Sequence, residues 1–145
     1  MTTSIYSETL LPIKLATGEA PFRFRCYQDD SGAEAVAIAS RYFDRSNPVN
    51  PRIHSSCMTS EVFHSLGCDC REQLDLALGY INDHSGLVIH LFQEDRGIGP
   101  GHKTRACALQ EFGYDTIESN EFIGLPPEAR SYDPVIGNLP TLIRP

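Results

Sequence analysis

Three of the five cysteines in this chain lie in the stretch CMTSEVFHSLGCDC, residues 57–70. Ten residues separate Cys57 from Cys68, and one separates Cys68 from Cys70. Thiolates bind zinc strongly, and a zinc ion with three protein ligands keeps a fourth position open for water. The spacing therefore predicts one Zn²⁺ per chain, held by Cys57, Cys68 and Cys70, that activates water as a nucleophile.

Three other uses of these thiols stay open. His54 or His64 could add a fourth ligand and make the zinc site purely structural. A disulfide would leave one thiol over, and the Cys-x-Cys spacing is too short for easy bridging. Free cysteines are often simply buried. The nearby Glu61, Asp69 and Arg71 make the surroundings polar, however, and this favours metal binding.

Length and charge limit the class of protein. The 145 residues suffice for one hydrophobic core, so we expect a single domain over residues 1–145. The formal net charge of −7 argues against broad binding to nucleic acid or to an anionic membrane. We find neither a signal-peptide core nor an apolar run of membrane-spanning length. A cytoplasmic location is therefore expected, where thiols stay reduced.

The residues before the cysteines predict mainly strands. Residues 22–27 alternate apolar and polar side chains, and residues 51–55 lead as a short strand into Cys57. Residues 33–39 favour another strand, although their alanines also allow a helix. Turn signals lie at residues 10–12, 17–19 and 27–32.

A helix is predicted directly after Cys70. Its apolar side chains at helical spacing are Leu74, Ala77, Leu78 and Ile81. Asp69 and Glu72 are expected to form a capping box, which places the cysteines at a helix N-terminus that favours anionic thiolates. The helix should end near residues 82–86.

An almost wholly apolar strand, residues 87–92, is expected next, in the interior of the sheet. Glycines at 97, 99 and 101 then lead into a helix that carries Lys103 and ends at Gly113. The glycine-rich turn and the start of this helix are together expected to form an anion cradle. Residues 114–117 are expected to form a short strand. The proline-rich tail from Tyr132 is expected to wrap the domain or a partner.

A dense and collinear set of motifs covers roughly residues 50–132. It consists of Arg52-Ile53-His54-Ser55, the three cysteines, Gln73, Gln93-Glu94-x-Arg96-x-Ile98-Gly99, Lys103-x-Arg105-Ala106, Ala108-Leu109-Gln110, Gly113-Tyr114-Asp115-Thr116 and Asn120. This set resembles GTP cyclohydrolase II. The resemblance implies a zinc-dependent, homodimeric α/β enzyme of riboflavin synthesis with a mixed sheet flanked by helices. Such an enzyme opens the imidazole ring of GTP and releases formate and pyrophosphate.

The resemblance also implies roles for single residues. Arg130 would match the family's arginine that attacks the α-phosphate, and Glu128 stands where the family has an aspartate proton acceptor. Glu94 and His54 are further acid–base candidates, and Cys107 occupies the place of a family tyrosine implicated in catalysis. The expected substrate-binding residues are Arg52, Ser55, Ser56, Gln73, Asp95, Arg96, Lys103 and Thr116.

This sequence departs from the family pattern at several points. The family's His-Ser-Glu is His54-Ser55-Ser56 here, and its Glu-Gly-Arg is Glu94-Asp95-Arg96. Asp95 thereby places a negative charge on the expected path of a triphosphate. The family also continues beyond the point where this sequence stops.

These observations predict a zinc-dependent cyclohydrolase that opens a ring C–N bond of a small nitrogen heterocycle, as a paralogue that does not use GTP. One alternative is authentic GTP cyclohydrolase II activity. Another is a non-catalytic binding module stabilised by zinc. We expect a homodimer that binds a small heterocyclic substrate and neither nucleic acid nor membrane.

Overall fold

The computed structural model describes residues 3–44, 46 and 48–132. Within these residues, five strands form one mixed sheet in the order β1-β2-β3-β5-β4. The strands are β1 (Thr3–Leu15), β2 (Gly18–Asp29), β3 (Glu34–Ser40), β4 (Asn50–Ser55) and β5 (Gly86–Leu91). The helices of the same part are α1 (Met58–Glu61), α2 (Cys70–Asp83), α3 (Pro100–Gln110) and α4 (Thr116–Phe122). The predicted α/β fold with a mixed sheet and flanking helices is confirmed.

One parallel strand pair sets the position of the site. Strands β1, β2, β3 and β5 pair antiparallel in turn, whereas β4 pairs with β5 in parallel, with Ser55 opposite Leu91. A parallel pair needs a crossover connection, and α1 and α2 supply it. Since β4 and β5 run in the same direction, their C-terminal ends lie side by side, and so do the chain segments that follow them.

Apolar side chains cover both faces of the sheet. On β3, Val36 and Ile38 face the side that packs against α2, and Ala37 and Ala39 face the other side. On β5, Val88 and Ile89 are fully buried, as a strand covered on both faces must be. The predicted interior strand is therefore confirmed over residues 87–91, whereas Phe92 lies beyond its end and is exposed.

One prediction for the first half of the chain is wrong, and one alternative is settled. The turn expected at residues 10–12 is part of β1, where Pro12 is tolerated because β1 lies at the edge of the described sheet. The strand favoured for residues 33–39 is confirmed as β3, whose two faces pack on opposite sides of the sheet, and the alternative helix is not formed.

Two predictions at helix starts also fail. Residues 114–117 do not form a strand, because Asp115 caps α4 through a complete capping box with Glu118. Asp69 is the N-cap of α2 but makes no capping hydrogen bond, and its Oδ1 instead accepts from Gln73 Nε2 at 2.9 Å.

The second predicted helix, α3, ends at Gln110, three residues before the expected stop.

The proline-rich tail after Tyr132 lies outside the described residues. Among the helices of the described part, none has the length and apolar character that a membrane crossing requires.

Candidate metal centre and active-site cleft

The three predicted thiols converge. Cys57 follows the end of β4 and is the N-cap of α1, and Cys68 and Cys70 stand at the start of α2. Their Sγ atoms all lie within 4.8 Å of one another, and those of Cys57 and Cys68 are 3.5 Å apart. Because a disulfide bond is about 2.05 Å long, these are free thiols.

Hydrogen bonds around the cluster fix the chain segments that carry the three cysteines. The backbone N–H of Ser56 donates to Leu91 O at 2.9 Å and its Oγ donates to the same oxygen at 3.1 Å, which ties the approach to Cys57 onto β5. The N–H of Arg71 donates to Ser60 Oγ at 3.1 Å, which joins the first turn of α2 to α1. These hydrogen bonds help to hold the three cysteines close together.

The donor set fits a thiophilic cation such as zinc. Three sulfur atoms within this radius are the ligands that zinc prefers over magnesium or calcium. Neither His54 nor His64 belongs to this group of ligand atoms in the described chain. Three protein donors leave one position of a tetrahedral ion for another ligand.

The electrostatics of the cluster favour one anionic sulfur. Burial by itself raises the pKa of Cys57, but hydrogen bonds, chiefly from Lys103, outweigh it and lower the pKa below its usual value. Burial and the two neighbouring thiols raise the pKa of Cys70 to about 12. A divalent cation would supply the positive charge that lets all three thiols ionise together.

Lys103 is held beside Cys57 by Glu94. Its Nζ lies 3.0 Å from Cys57 Sγ and 2.6 Å from Glu94 Oε1. The other carboxylate oxygen of Glu94 accepts from the backbone N–H of Met58 at 2.8 Å. Although burial alone lowers the pKa of Lys103, Glu94 and Cys57 raise it above the usual value, so the ammonium stays charged.

A cleft of about 440 Å³ opens beside the thiols. It collects many of the predicted site residues, namely Ser55, Ser56, the three cysteines, Asp95, Arg96, Lys103, Cys107, Thr116 and Arg130. Sequence reasoning missed Thr59, Ser65, Gly67, Ala106 and Gln110, which also line it. Gln110 follows Lys103 and Cys107 at helical spacing, so the shared face of α3 was a signal that could have identified it.

The remaining predicted site residues lie outside this cleft. Arg52 donates to Gln73 Oε1 at 2.6 Å, and both line a separate, shallower groove between β4 and α2. His54 is buried among polar side chains behind the cluster, with 3% of its surface exposed. Glu128 does not line the cleft but pairs with Arg130, which does, and that guanidinium holds the pKa of Glu128 at about 2.

One side of the cleft is formed by a backbone turn of unusual conformation. Asp95 and Arg96 have φ of 45° and 57°, the left-handed region, and Gly97 follows with φ of 87°. A Cβ at Gly97 would lie 2.7 Å from Ala129 O, and Ala129 N–H donates to Arg96 O at 2.9 Å. This turn is therefore fixed against residues 127–130.

Asp95 is the one carboxylate among the described residues that line the cleft. Burial raises its pKa, in opposition to the neighbouring cations Lys103, Arg96 and Arg130. The cleft thus combines three cationic side chains, one carboxylate of raised pKa and a convergent set of thiols.

Comparison with known proteins identifies relatives. A sequence model described as GTP cyclohydrolase II matches residues 8–139. A GTP cyclohydrolase-2 from Campylobacter fetus subsp. fetus is 45% identical over 112 residues, which cover 77% of this chain and 57% of that protein. One from Acinetobacter baylyi is 43% identical over 123 residues, 83% of this chain and 62% of that protein.

A longer relative also matches. The riboflavin biosynthesis protein RibBA from Aquifex aeolicus is 41% identical over 133 residues, which cover 86% of this chain and 32% of that protein. The chain thus spans less than two thirds of the length of each of these three relatives.

Proposed function

The chain belongs to the GTP cyclohydrolase II family, and from this premise we propose that it opens the ring of a nitrogen heterocycle by hydrolysing a C–N bond, with GTP as the substrate. The observation that carries the proposal is the convergence of Cys57, Cys68 and Cys70 in the wall of a cleft that also presents cationic side chains. The names of the relatives support GTP over the prediction of a paralogue that does not use it.

The three cysteines would hold one zinc ion in this site. Zinc bound there would supply a Lewis acid and lower the pKa of a coordinated water. Lys103 donates to Cys57 Sγ and so lowers the pKa of that thiol below its usual value, which favours the thiolate.

The cationic side chains of the cleft would bind the phosphates. Arg96 and Arg130 line the cleft, and Arg96 Nη1 also donates to Pro127 O at 3.1 Å, which limits its movement. One guanidinium group can donate hydrogen bonds to two phosphate oxygens at once, so these arginines suit the triphosphate of GTP. Gln110 and Thr116 also line the cleft, and Gln110 Nε2 donates to Thr116 Oγ1 at 3.3 Å, which leaves Gln110 Oε1 for the edge of the base.

Among the acidic candidates, Asp95 suits proton transfer best. Glu94 is engaged by Lys103 and a backbone N–H, and Glu128 has a pKa of about 2 and pairs with Arg130. A general base works best when its pKa lies near the working pH, and burial shifts the pKa of Asp95 in that direction. We assign Asp95 as the group that accepts a proton from the attacking water and passes it to the departing ring nitrogen.

The test is product release from GTP. The purified chain, loaded with zinc, is incubated with GTP while formate and pyrophosphate are measured. Release of both is expected, with loss after chelation and in Cys57→Ser. Formate release that persists in Cys57→Ser would contradict the assigned metal centre, and no release from folded, zinc-loaded protein would contradict GTP as the substrate.

A second candidate is a heterocyclic substrate without a triphosphate, and Asp95 favours it. A carboxylate in the cleft opposes a polyphosphate and accepts hydrogen bonds from ring N–H or amino groups. Asp95→Asn removes the charge and keeps a residue type that tolerates the left-handed backbone. This candidate predicts that wild-type melting temperature rises with guanosine but not with GTP, and that GTP stabilises Asp95→Asn. Stabilisation of the wild type by GTP would exclude it.

We also propose the expected homodimer and the cytoplasmic location. Val62, Phe63 and Leu66, in the loop between α1 and α2, expose 63%, 69% and 97% of their surfaces. Apolar side chains exposed together in one loop are typical of an interface. Sedimentation of the wild type as a monomer at micromolar concentration would contradict the dimer. A cytoplasmic location suits thiols that must stay reduced.

A further inference from the structure

A buried polar cluster lies directly behind the thiols. His54 Nε2 is 2.8 Å from Glu61 Oε1, and His90 Nε2 is 3.5 Å from Glu61 Oε2. The exposed fractions of these side chains are 3% for His54 and 17% for both Glu61 and His90. A carboxylate and two imidazoles in such a place are unfavourable unless they are paired, so this cluster must have its partners within the fold.

The strand register creates the cluster. His54 on β4 and His90 on β5 are direct partners in the parallel pair, so their rings lie on the same face with centroids 5.6 Å apart. Glu61, the last residue of α1, approaches that face from the crossover. Three separate elements therefore supply one side chain each.

Glu61 also holds the backbone of Cys57. Its Oε1 accepts from the N–H of Cys57 at 2.9 Å, and its own N–H donates to the O of Cys57 at 2.8 Å. Both the N–H and the C=O of Cys57 are thus hydrogen-bonded to one residue, while its Sγ contacts Lys103 Nζ. The direction in which the sulfur points is set by this backbone placement.

We propose that Glu61 is a positioning residue for the metal ligand Cys57, with the Nε2–H of His54 orienting its carboxylate by a hydrogen bond and His90 placed 3.5 Å from its other oxygen. The inference rests on the proposed metal centre. Groups that orient a ligand in this way raise metal affinity, and their loss weakens it about 10- to 100-fold. A second metal ion bound by the same three side chains is the competing use. We disfavour it because Glu61 Oε1 already accepts two hydrogen bonds of normal length.

Two substitutions of Glu61 test whether it positions Cys57 for metal binding. Glu61→Met keeps the length of the side chain but removes both acceptor oxygens, whereas Glu61→Gln keeps one acceptor for the Cys57 N–H. Glu72→Gln is the control, since Glu72 is exposed and lies two residues after Cys70. Zinc affinity is measured by competition with a chromogenic chelator, and the Co²⁺-loaded proteins are compared by their thiolate-to-cobalt charge-transfer and d–d bands.

Wild type and Glu72→Gln should bind zinc with equal affinity, and Glu61→Gln should bind it more weakly. Glu61→Met should bind it most weakly, with an affinity about 10- to 100-fold below that of wild type. The cobalt bands should shift in Glu61→Met and stay in place in Glu72→Gln. A purely structural role would lower the melting temperature of both Glu61 variants but leave affinity and bands of the folded proteins unchanged, and this would overturn the proposal. If Glu61→Met does not fold, wild-type affinity in Glu61→Gln overturns it equally.

Three further outcomes are distinct. Two zinc ions per wild-type chain would assign the cluster to a second metal and overturn the positioning role. A wild type that binds neither zinc nor cobalt would overturn the metal centre of the proposed function together with this inference. A wild type that binds one ion, with Glu61 variants that bind it equally well, would overturn the inference alone.

Discussion

Replacing Lys103 by methionine tests the electrostatic support of the thiol cluster. The substitution keeps the length and apolar stem of the side chain but removes the contacts to Cys57 Sγ at 3.0 Å and Glu94 Oε1 at 2.6 Å. Lys103 and Glu94 each expose 11% of their side chains, so water replaces little of what is lost. Glu94 then keeps only its contact to the Met58 N–H among the hydrogen bonds described above.

The magnitude follows from these contacts. Breaking a buried ion pair by removing one partner costs about 3–5 kcal/mol, and a hydrogen bond to a charged group contributes about 1.5–3 kcal/mol. Because Glu94 retains the bond from Met58, we expect the free energy of unfolding to fall by about 2–3 kcal/mol. In a chain of this length, 1 kcal/mol shifts the melting temperature by about 2–4 °C, which gives a loss of about 4–12 °C.

Two assays on metal-free protein check this prediction. Thermal unfolding followed by circular dichroism gives the stability loss. Alkylation of Cys57 at increasing pH gives the ionisation of its thiol, and the midpoint should move to higher pH in Lys103→Met, because the ammonium no longer stabilises the thiolate.

Arg105→Met is the matched control for that substitution. Arg105 lies on the same helix and is exposed, so the same loss of one positive charge should leave both readings near wild type. The reasoning is refuted if Lys103→Met unfolds within about 1 °C of wild type, or if the alkylation midpoint of Cys57 does not move.

Further predictions concern pH, backbone and metal. The pKa of Glu128 is about 2, below its ordinary value of 4.5. Its pair with Arg130 therefore contributes stability above pH 4.5, and this contribution is lost as the pH falls towards about 2. The difference in melting temperature between wild type and Glu128→Gln should vanish over that range. Gly97→Ala should destabilise by about 1–3 kcal/mol in urea unfolding, because its left-handed backbone and nearby carbonyl reject a Cβ. Gly101→Ala, in a helix with open space around it, should instead stabilise by about 0.5–1 kcal/mol; equal effects would contradict both. Zinc at about 100 times its Kd should raise the stability of metal-free protein by about 2.7 kcal/mol, and an unchanged melting temperature would contradict the metal centre.

The sequence was sufficient to predict the thiol cluster but not the strand pairing that brings Glu94 and Lys103 to it. The spacing of Cys57, Cys68 and Cys70 indicated a shared site because cysteines at such spacing have few other uses. The approach of Glu94 and Lys103 to Cys57, by contrast, follows from the parallel alignment of β4 with β5, which is a long-range pairing that no local pattern specifies. The glycine-rich turn was also identified, although the left-handed conformation of Asp95 and Arg96 follows from packing against residues 127–130.

The missed features share a cause. His90 stands alone in an apolar strand and resembled a core residue, since its partner His54 is distant in sequence and becomes a neighbour only through strand register. The same limitation applies to Arg52, whose position relative to the cleft depends on where β4 lies against α2. At α4, the capping signal from Asp115 and Glu118 was present in the sequence, but the β-forming residues Tyr114, Thr116 and Ile117 obscured it.

The unequal burial of the three thiols sets an order of access. Cys57 is enclosed and held from several sides, Cys70 is half-buried, and Cys68 is exposed at the surface. An incoming ion, or a carrier that exchanges its own ligands for these, therefore meets Cys68 first and reaches Cys57 last. The same gradient makes Cys68 the sulfur that any reagent in solution reaches first, so entry to the site begins at one atom.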